Sequence, residues 1–175
     1  MQERFVGRTG LKVSRLGLGT MTWGRDTDEH EARDQLTSFV EAGGTLVDTA
    51  ASYADGESER ILGSMIDDVV PRDDLVVASK AGLGFRRRER VRDVSRGMLL
   101  RQLDTSLLRL GVDHLDLWQV HVWDDRVPLE ETMSALDHAV RTGRAAHIGV
   151  SNYNGWQTAV AQTWQRSVAE RAPLA

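Results

Sequence analysis

The order of apolar patterns along the 175 residues predicts an α/β fold built on a parallel sheet. Three observations carry this. Short β-type runs alternate with longer stretches of helical period, which is the pattern of strand–helix units. The runs end near Gly19, Ala50, Lys80, His121 and Ser151, a spacing of about 33 residues, and eight such units would approach the roughly 250 residues of a (β/α)8 TIM barrel. The N-terminus has a different pattern, two short apolar pieces around a glycine-containing turn. The expectation is therefore an incomplete TIM barrel of about five βα units, preceded by an N-terminal β-hairpin, with residues 1–175 as a single domain.

Each element has its own signal. Phe5-Val6 and Leu11-Lys12-Val13 flank Gly7-Arg8-Thr9-Gly10 and form the hairpin. The first barrel strand ends near Gly19. A helix follows from Asp28, with Glu31 placed for a capping box and Ala32, Leu36, Phe39 and Val40 as its stripe; Gly43-Gly44 stops it. Thr45–Ala50 reads as the second strand, and Ile61, Leu62, Met65 and Ile66 mark the second helix. Leu75–Lys80 is the third strand. The basic run Arg86-Arg87-Arg88-Glu89-Arg90, with Arg92 beyond, reads as a solvated loop that touches substrate entry or a partner only in the less favoured reading. Helix three starts near Ser95, shows Leu99, Leu103, Leu107 and Leu110, and stops at Gly111. His114–His121 is the fourth strand. Pro128 opens helix four, with Leu129, Met133, Leu136 and Val140, and Gly143 closes it. Strand five runs from Ala145 to about Val150, helix five holds Trp156, Val160 and Trp164, and Pro173-Leu174-Ala175 leads toward a sixth strand.

Composition removes several function classes. The net charge is −4 with 27% charged residues, so no nucleic-acid or anionic-membrane partner is expected. There is no cysteine, hence no disulfide framework and no thiolate metal site. The five histidines share no ligand spacing, and no metal is expected. No apolar run approaches the ~18 residues of a membrane span, and Met1-Gln2-Glu3-Arg4-Phe5 does not open a signal peptide. The default location is cytoplasmic.

Four residues stand at or just past C-terminal strand ends, or in the loop that leaves one: Asp48, Tyr53, Lys80 and His121. In a parallel sheet with helical crossovers these ends share one face, so the four become neighbours. A phenol is a weak acid, with an ordinary pKa of about 10. An adjacent ammonium favours its ionised form, and a carboxylate holds the ammonium. Such a set suits proton donation to an oxygen that gains negative charge. The bland readings are a loop tyrosine over apolar surface, a structural Asp–Lys ion pair and a satisfied polar histidine.

The chain resembles the aldo-keto reductases. The resemblance rests on Arg15-Leu16-Gly17-Leu18-Gly19-Thr20-Met21, on Asp48-Thr49-Ala50 with Tyr53, on Lys80 and His121 at strand ends, and on Ile148-Gly149-Val150-Ser151-Asn152. It implies reversible NADPH-dependent reduction of an aldehyde or ketone, a small carbonyl substrate, and Asp48, Tyr53, Lys80 and His121 as the catalytic tetrad with Tyr53 as general acid. It also implies cofactor contacts from Gly19, Thr20, Met21, Asp48, Ser151 and Asn152, and a substrate pocket of Trp23, Tyr53, His121 and Trp123. For Ser151 and Asn152 a helix-start turn is the competing reading, with Asn154 as the alternative cap; for Trp23 it is ordinary packing. The family's determinants for the 2′-phosphate, its strand-six glutamine and its strand-seven aromatic would fall after residue 175. Some members, such as potassium-channel β subunits, act as regulatory partners, so a regulatory subunit or an inactive fragment is the alternative. An open sheet also leaves edges along its first and fifth strands, through which self-association is expected.

Overall fold

Parallel strands cannot be joined by a tight turn, so a parallel sheet needs a helix between each pair. The computed structural model describes residues 1–86 and 89–175 and follows that rule. An antiparallel hairpin, β1 (Glu3–Phe5) and β2 (Lys12–Ser14), comes first. It is displaced from the expected strands because Val6 and Leu11 close the turn, with Val6 N–H donating to the Leu11 carbonyl at 2.9 Å. The main sheet holds β3 (Gly17–Gly19), β4 (Leu46–Asp48), β5 (Val76–Ala81), then β8 (Leu115–Val120) and β9 (Ala145–Val150), all parallel and in that order. Its helices are α1 (Glu29–Glu41), α2 (Glu57–Met65), α3 (Arg96–Leu110), α4 (Leu129–Arg141) and α5 (Gly155–Arg166).

Between β5 and α3 the expected loop is an antiparallel hairpin, β6 (Leu83–Arg86) with β7 (Glu89–Arg92). The basic run falls on it, and Arg87 and Arg88 lie outside the described residues. Ile66, expected in the second helix, instead turns extended at ψ 132°, ahead of Asp67 at φ 65°. Among the described residues no helix is long and apolar enough to cross a membrane.

Helix boundaries follow their caps. The Asp28 carboxylate accepts the Glu31 N–H, and Ser95 accepts that of Met98. Asn154 and Gln157 form a reciprocal capping box. Gly111 ends α3 in the left-handed region at φ 67°.

The register decides what faces where. Asp48 pairs with Ala78, Ala78 with Leu117, and Leu117 with His147. Two residues further along, Lys80 pairs with Gln119 and Gln119 with Gly149. Because strand side chains alternate, Asp48, Lys80, Gln119 and His147 share the inner face, and His121 and Ser151 continue it upward. The outer residues Val47, Val77, Trp118 and Ile148 pack with Leu36, Leu62, Met65, Leu99, Leu103, Met133 and Leu136 of the helices in a fully buried layer. The inner residues Leu46, Leu117, Gln119 and His147 are only half-buried.

The hairpin β1–β2 is tied beneath the sheet. The Ser14 hydroxyl oxygen accepts the backbone N–H groups of Thr45 and Leu46 at 3.0 and 3.2 Å, and the Thr45 hydroxyl accepts that of Ser14 at 2.9 Å. The edge of β9 is partly covered, since Leu174 bridges Ile148 and the Ala175 N–H donates to the Ile148 carbonyl at 2.9 Å. Among the described residues, β3 pairs on its β4 side alone.

Helices α2 and α3 approach most closely at Gly63, where an added Cβ would overlap the Arg109 carbonyl and stand 2.9 Å from the Leu110 Cα. Both neighbours are backbone and cannot swing aside. Gly63→Ala should therefore cost about 1–3 kcal/mol by overpacking, lowering the melting temperature by roughly 2–4 °C per kcal/mol. A thermal melt that coincides with the unsubstituted chain would refute this contact.

Candidate active site

The site is built around a buried ammonium. Lys80 continues the β5 inner face and is 6% exposed. An unpaired charge there would be costly to bury, and each of its three N–H bonds has an acceptor. Lys80 Nζ lies 2.6 Å from Asp48 Oδ2, 2.8 Å from the Thr49 carbonyl and 3.3 Å from the Tyr53 hydroxyl oxygen. Asp48 closes β4 and is half-buried; Thr49 and Ala50 have already left the strand. The ammonium also stands 5.0 Å from the Tyr53 ring centroid.

Tyr53 is delivered by a tight turn. The Ala51 N–H donates to the Lys80 carbonyl at 3.0 Å, and the Tyr53 N–H to that of Ala50. Behind it Ala54, Asp55 and Gly56 lie in succession in the left-handed region, at φ 46°, 55° and 91°. For the two non-glycine residues this conformation costs roughly 1–2 kcal/mol each.

His121 follows the last residue of β8 and is 7% exposed. Its ring meets Tyr53 edge to face, with centroids 5.9 Å apart and planes at 79°. Its Nδ1 lies 3.4 Å from the Ser52 hydroxyl. Acid, amine, phenol and imidazole are thus gathered at one end of the sheet.

The residues expected to face a cofactor surround that end. Thr20 is fully buried; its N–H donates to the Asp48 carbonyl at 3.0 Å, and its hydroxyl meets that of Ser58 at 2.7 Å. Ser58, which carries no sequence signal, also reaches the Thr49 hydroxyl at 3.1 Å and so binds the ends of β3 and β4 together. Met21 is exposed, and a Cβ on Gly19 would meet nothing within 4 Å. Ser151 continues the β9 inner face. Asn152 adopts φ 55°, and its amide donates to the His121 carbonyl at 2.9 Å and to Ser151 Oγ at 3.1 Å. Helix five is capped by Asn154, which leaves Ser151 and Asn152 outside the cap.

Two of the expected pocket residues separate. Trp23 is 0% exposed, lies in the apolar core, and gives its indole N–H to Gln35 Oε1 of α1 at 2.8 Å. It has no surface to offer a substrate; its pocket assignment is corrected to a core position. Trp123 stays half-exposed. Its indole N–H bonds Asp125, its carbonyl accepts from Arg92 at 3.2 Å, and its ring packs edge-on against Tyr153 and Trp156 at 5.2 and 5.4 Å. Burial pushes the Tyr153 phenol pKa upward. Trp156 and Val160 lie in helix five as expected and are 59% and 47% exposed, because α5 buries Ala161 and Gln165.

A parallel strand–helix sheet with amine, phenol and imidazole gathered at one end is the architecture of an incomplete α/β barrel. The model of the Aldo/keto reductase family matches residues 15–171, and the chain belongs to that family. It is 35% identical to the aldo-keto reductase YhdN of Bacillus subtilis over 159 residues, covering 88% of this chain and 48% of the relative. It is 34% identical to the L-glyceraldehyde 3-phosphate reductase of Escherichia coli over 163 residues, 90% of this chain and 47% of that one. Among solved structures it resembles the thermostable aldo-keto reductase Tm1743, crystallised with the inhibitor epalrestat, at TM-score 0.79 and 34% identity over 93% of this chain and 58% of that one. It also resembles the holo form of AKR11C1 from Bacillus halodurans, at TM-score 0.84 and 29% identity over 99% and 55%. The chain spans about half the length of the curated relatives it matches.

Asn152 combines a left-handed backbone with a bond to the residue that carries the imidazole. Asn152→Gly should lose only the bond, whereas Asn152→Ala should lose the bond and add about 1–2 kcal/mol of backbone strain. Urea unfolding of both variants reads the difference. An alanine variant as stable as the glycine variant would contradict the assigned backbone geometry.

Proposed function

We propose that the site reduces the carbonyl group of a small aldehyde or ketone to an alcohol with NADPH as the reductant, reversibly and in the cytoplasm, with residues 1–175 acting as one domain. The observation that carries this reading is Lys80 Nζ lying within hydrogen-bond reach of both Asp48 and the Tyr53 hydroxyl. Family membership and the two reductases named above support the reaction class.

The residues at the sheet end fit a nicotinamide cofactor. A carboxamide needs a donor and an acceptor. Asn152 commits its NH2 to His121 and Ser151, and among the described residues no donor reaches its Oδ1. That oxygen is left to accept, and the Ser151 hydroxyl hydrogen is left to donate. Gly19, with open space beyond its Cα, lets a ligand approach the backbone beside Thr20 and Met21. When bound there, such a cofactor would supply the hydride for the carbonyl carbon.

The chain's own residues manage the proton. Tyr53 donates its phenolic hydrogen to the substrate oxygen as negative charge develops there, and the Lys80 ammonium beside it stabilises the phenolate left behind. Asp48 holds the ammonium in place through the 2.6 Å contact. His121, whose ring stands against Tyr53, hydrogen-bonds the substrate oxygen and orients it. Tyr53, His121 and Trp123 bound the substrate space, and the Trp123–Tyr153–Trp156 cluster gives its rim an apolar wall.

Two outcomes are expected. In the chain extended to the length of its relatives, Tyr53→Phe should lower carbonyl reduction by ~10²–10⁴ and leave NADPH affinity nearly unchanged, because the ring is retained and the proton is lost. Turnover within tenfold of the unsubstituted protein, assayed with an aldehyde and ketone panel, would remove Tyr53 from the acid role. We propose also that the 175 residues alone self-associate along the open edge of β3, whose flanking Leu16 and Met21 are 65% and 54% exposed. A monodisperse monomer in size-exclusion chromatography with light scattering would defeat that expectation.

A further inference from the structure

We propose that Glu59 of α2 and Arg109 of α3, on helices that pack on the outer side of the sheet, are positioning residues that set where the Tyr53 hydroxyl stands. This deepens the reading of Tyr53 as the acid and rests on it.

Glu59 is 0% exposed, which a carboxylate tolerates only when paired. Its Oε1 accepts the Ser79 hydroxyl at 2.7 Å, and its Oε2 lies 3.1 Å from Arg109 Nη1. Ser79 precedes Lys80 and points to the opposite face of β5. The carboxylate therefore grips the strand that carries the ammonium.

Arg109 grips the turn that carries the phenol. Nη1 also donates to the Ala51 carbonyl and Nη2 to the Asp55 carbonyl, each at 3.3 Å. These carbonyls bracket Tyr53 in sequence, two residues before it and two after. Between them the backbone enters the left-handed run at Ala54, Asp55 and Gly56. The guanidinium lies against Gly56, where an added Cβ would overlap its Cζ and Nη1. The two nitrogens of the fork divide these acceptors, Nη1 taking Glu59 and Ala51 and Nη2 taking Asp55; the single nitrogen of a lysine at position 109 lacks that spread. The pair thus fixes two elements relative to each other, the strand ending in Lys80 and the turn bearing Tyr53. Their separation is what the 3.3 Å contact between Lys80 Nζ and the Tyr53 hydroxyl measures.

The test uses the two tyrosines of the chain, Tyr53 and Tyr153. The whole 175-residue chain is labelled with 3-fluorotyrosine, and Tyr53→Phe assigns the two ¹⁹F resonances. Arg109→Lys keeps the charge opposite Glu59 but loses the bridge. It should melt cooperatively, with the Tyr53 resonance displaced or broadened and that of Tyr153 unmoved. A purely structural ion pair would be rescued by lysine in both respects. A folded Arg109→Lys chain whose Tyr53 resonance coincides with the parent would overturn the proposal. Glu59→Gln, which keeps the side-chain shape and removes the charge, is the second variant should lysine fail to fold, and an unmoved Tyr53 resonance there would overturn it equally. In the chain extended to its relatives' length, Arg109→Lys should lower kcat by about 10²-fold, the scale of a 1 Å misplacement, with the NADPH KM unchanged. If Tyr53 responds in the spectrum but the parent reduces no carbonyl in the panel, positioning stands and the reductase reading fails.

Discussion

The structure depends on satisfying one buried ammonium. Lys80 has three N–H bonds, little access to water, and three acceptors drawn from three kinds of group: a carboxylate, a backbone carbonyl and a phenol. Removing any acceptor leaves a donor desolvated, and for a charged group that penalty exceeds the ordinary value of a hydrogen bond. The ends of β4 and β5 and the turn beyond β4 are therefore not independent. Asp48 must close its strand one layer below Lys80, Thr49 must turn its carbonyl inward, and residues 50–56 must fold back over the strand ends. The hydroxyl network of Thr20, Ser58 and Thr49 then extends the constraint to β3.

How much of this the sequence discloses follows from the range of the interactions. Apolar strand runs are local, so the strands, and with them the convergence of Asp48, Lys80 and His121 at one end of a parallel sheet, could be read directly. Helix starts at Asp28 and Ser95 were equally legible, because a cap and its N–H partner lie within three residues. Trp23 was not. An indole just after a strand end has the same local pattern whether it faces a ligand or the core, and its fate is settled by Gln35, twelve positions on. The hairpin at 83–92 was hidden by its charge: a basic run suggests solvation, and solvation does not distinguish a loop from a two-stranded ribbon. Trp156 and Val160 showed a helical period, but period alone does not say which face of α5 meets a neighbour. Glu59 and Arg109 stand fifty residues apart, each an ordinary charged residue in a helix, and no pattern links them before the fold brings them together.

The sheet is unevenly finished. Its outer face is sealed by helices, with Val47, Val77, Trp118 and Ile148 fully or nearly fully buried, while the inner face keeps Leu46, Leu117, Gln119 and His147 half-buried. Hydrophobic stabilisation scales with apolar area removed from water, so most of it comes from the helix–sheet layer. The inner face, which carries Asp48 and Lys80, contributes less to holding the chain together. The Ser14 hydroxyl of the hairpin β1–β2 below and the backbone bridge of Leu174 at β9 add hydrogen bonds at the margins of that face.

Gly63 touches no reactive group, yet the backbone it contacts across the α2–α3 crossing belongs to Arg109 and Leu110. Any side chain placed there pries the helices apart at the root of the guanidinium that braces the Tyr53 turn. Position 63 is in effect the fulcrum of a lever whose far arm ends at the phenol. A side chain at this remote glycine would be felt first where α2 crosses α3 and then, through Arg109, at the turn that carries Tyr53.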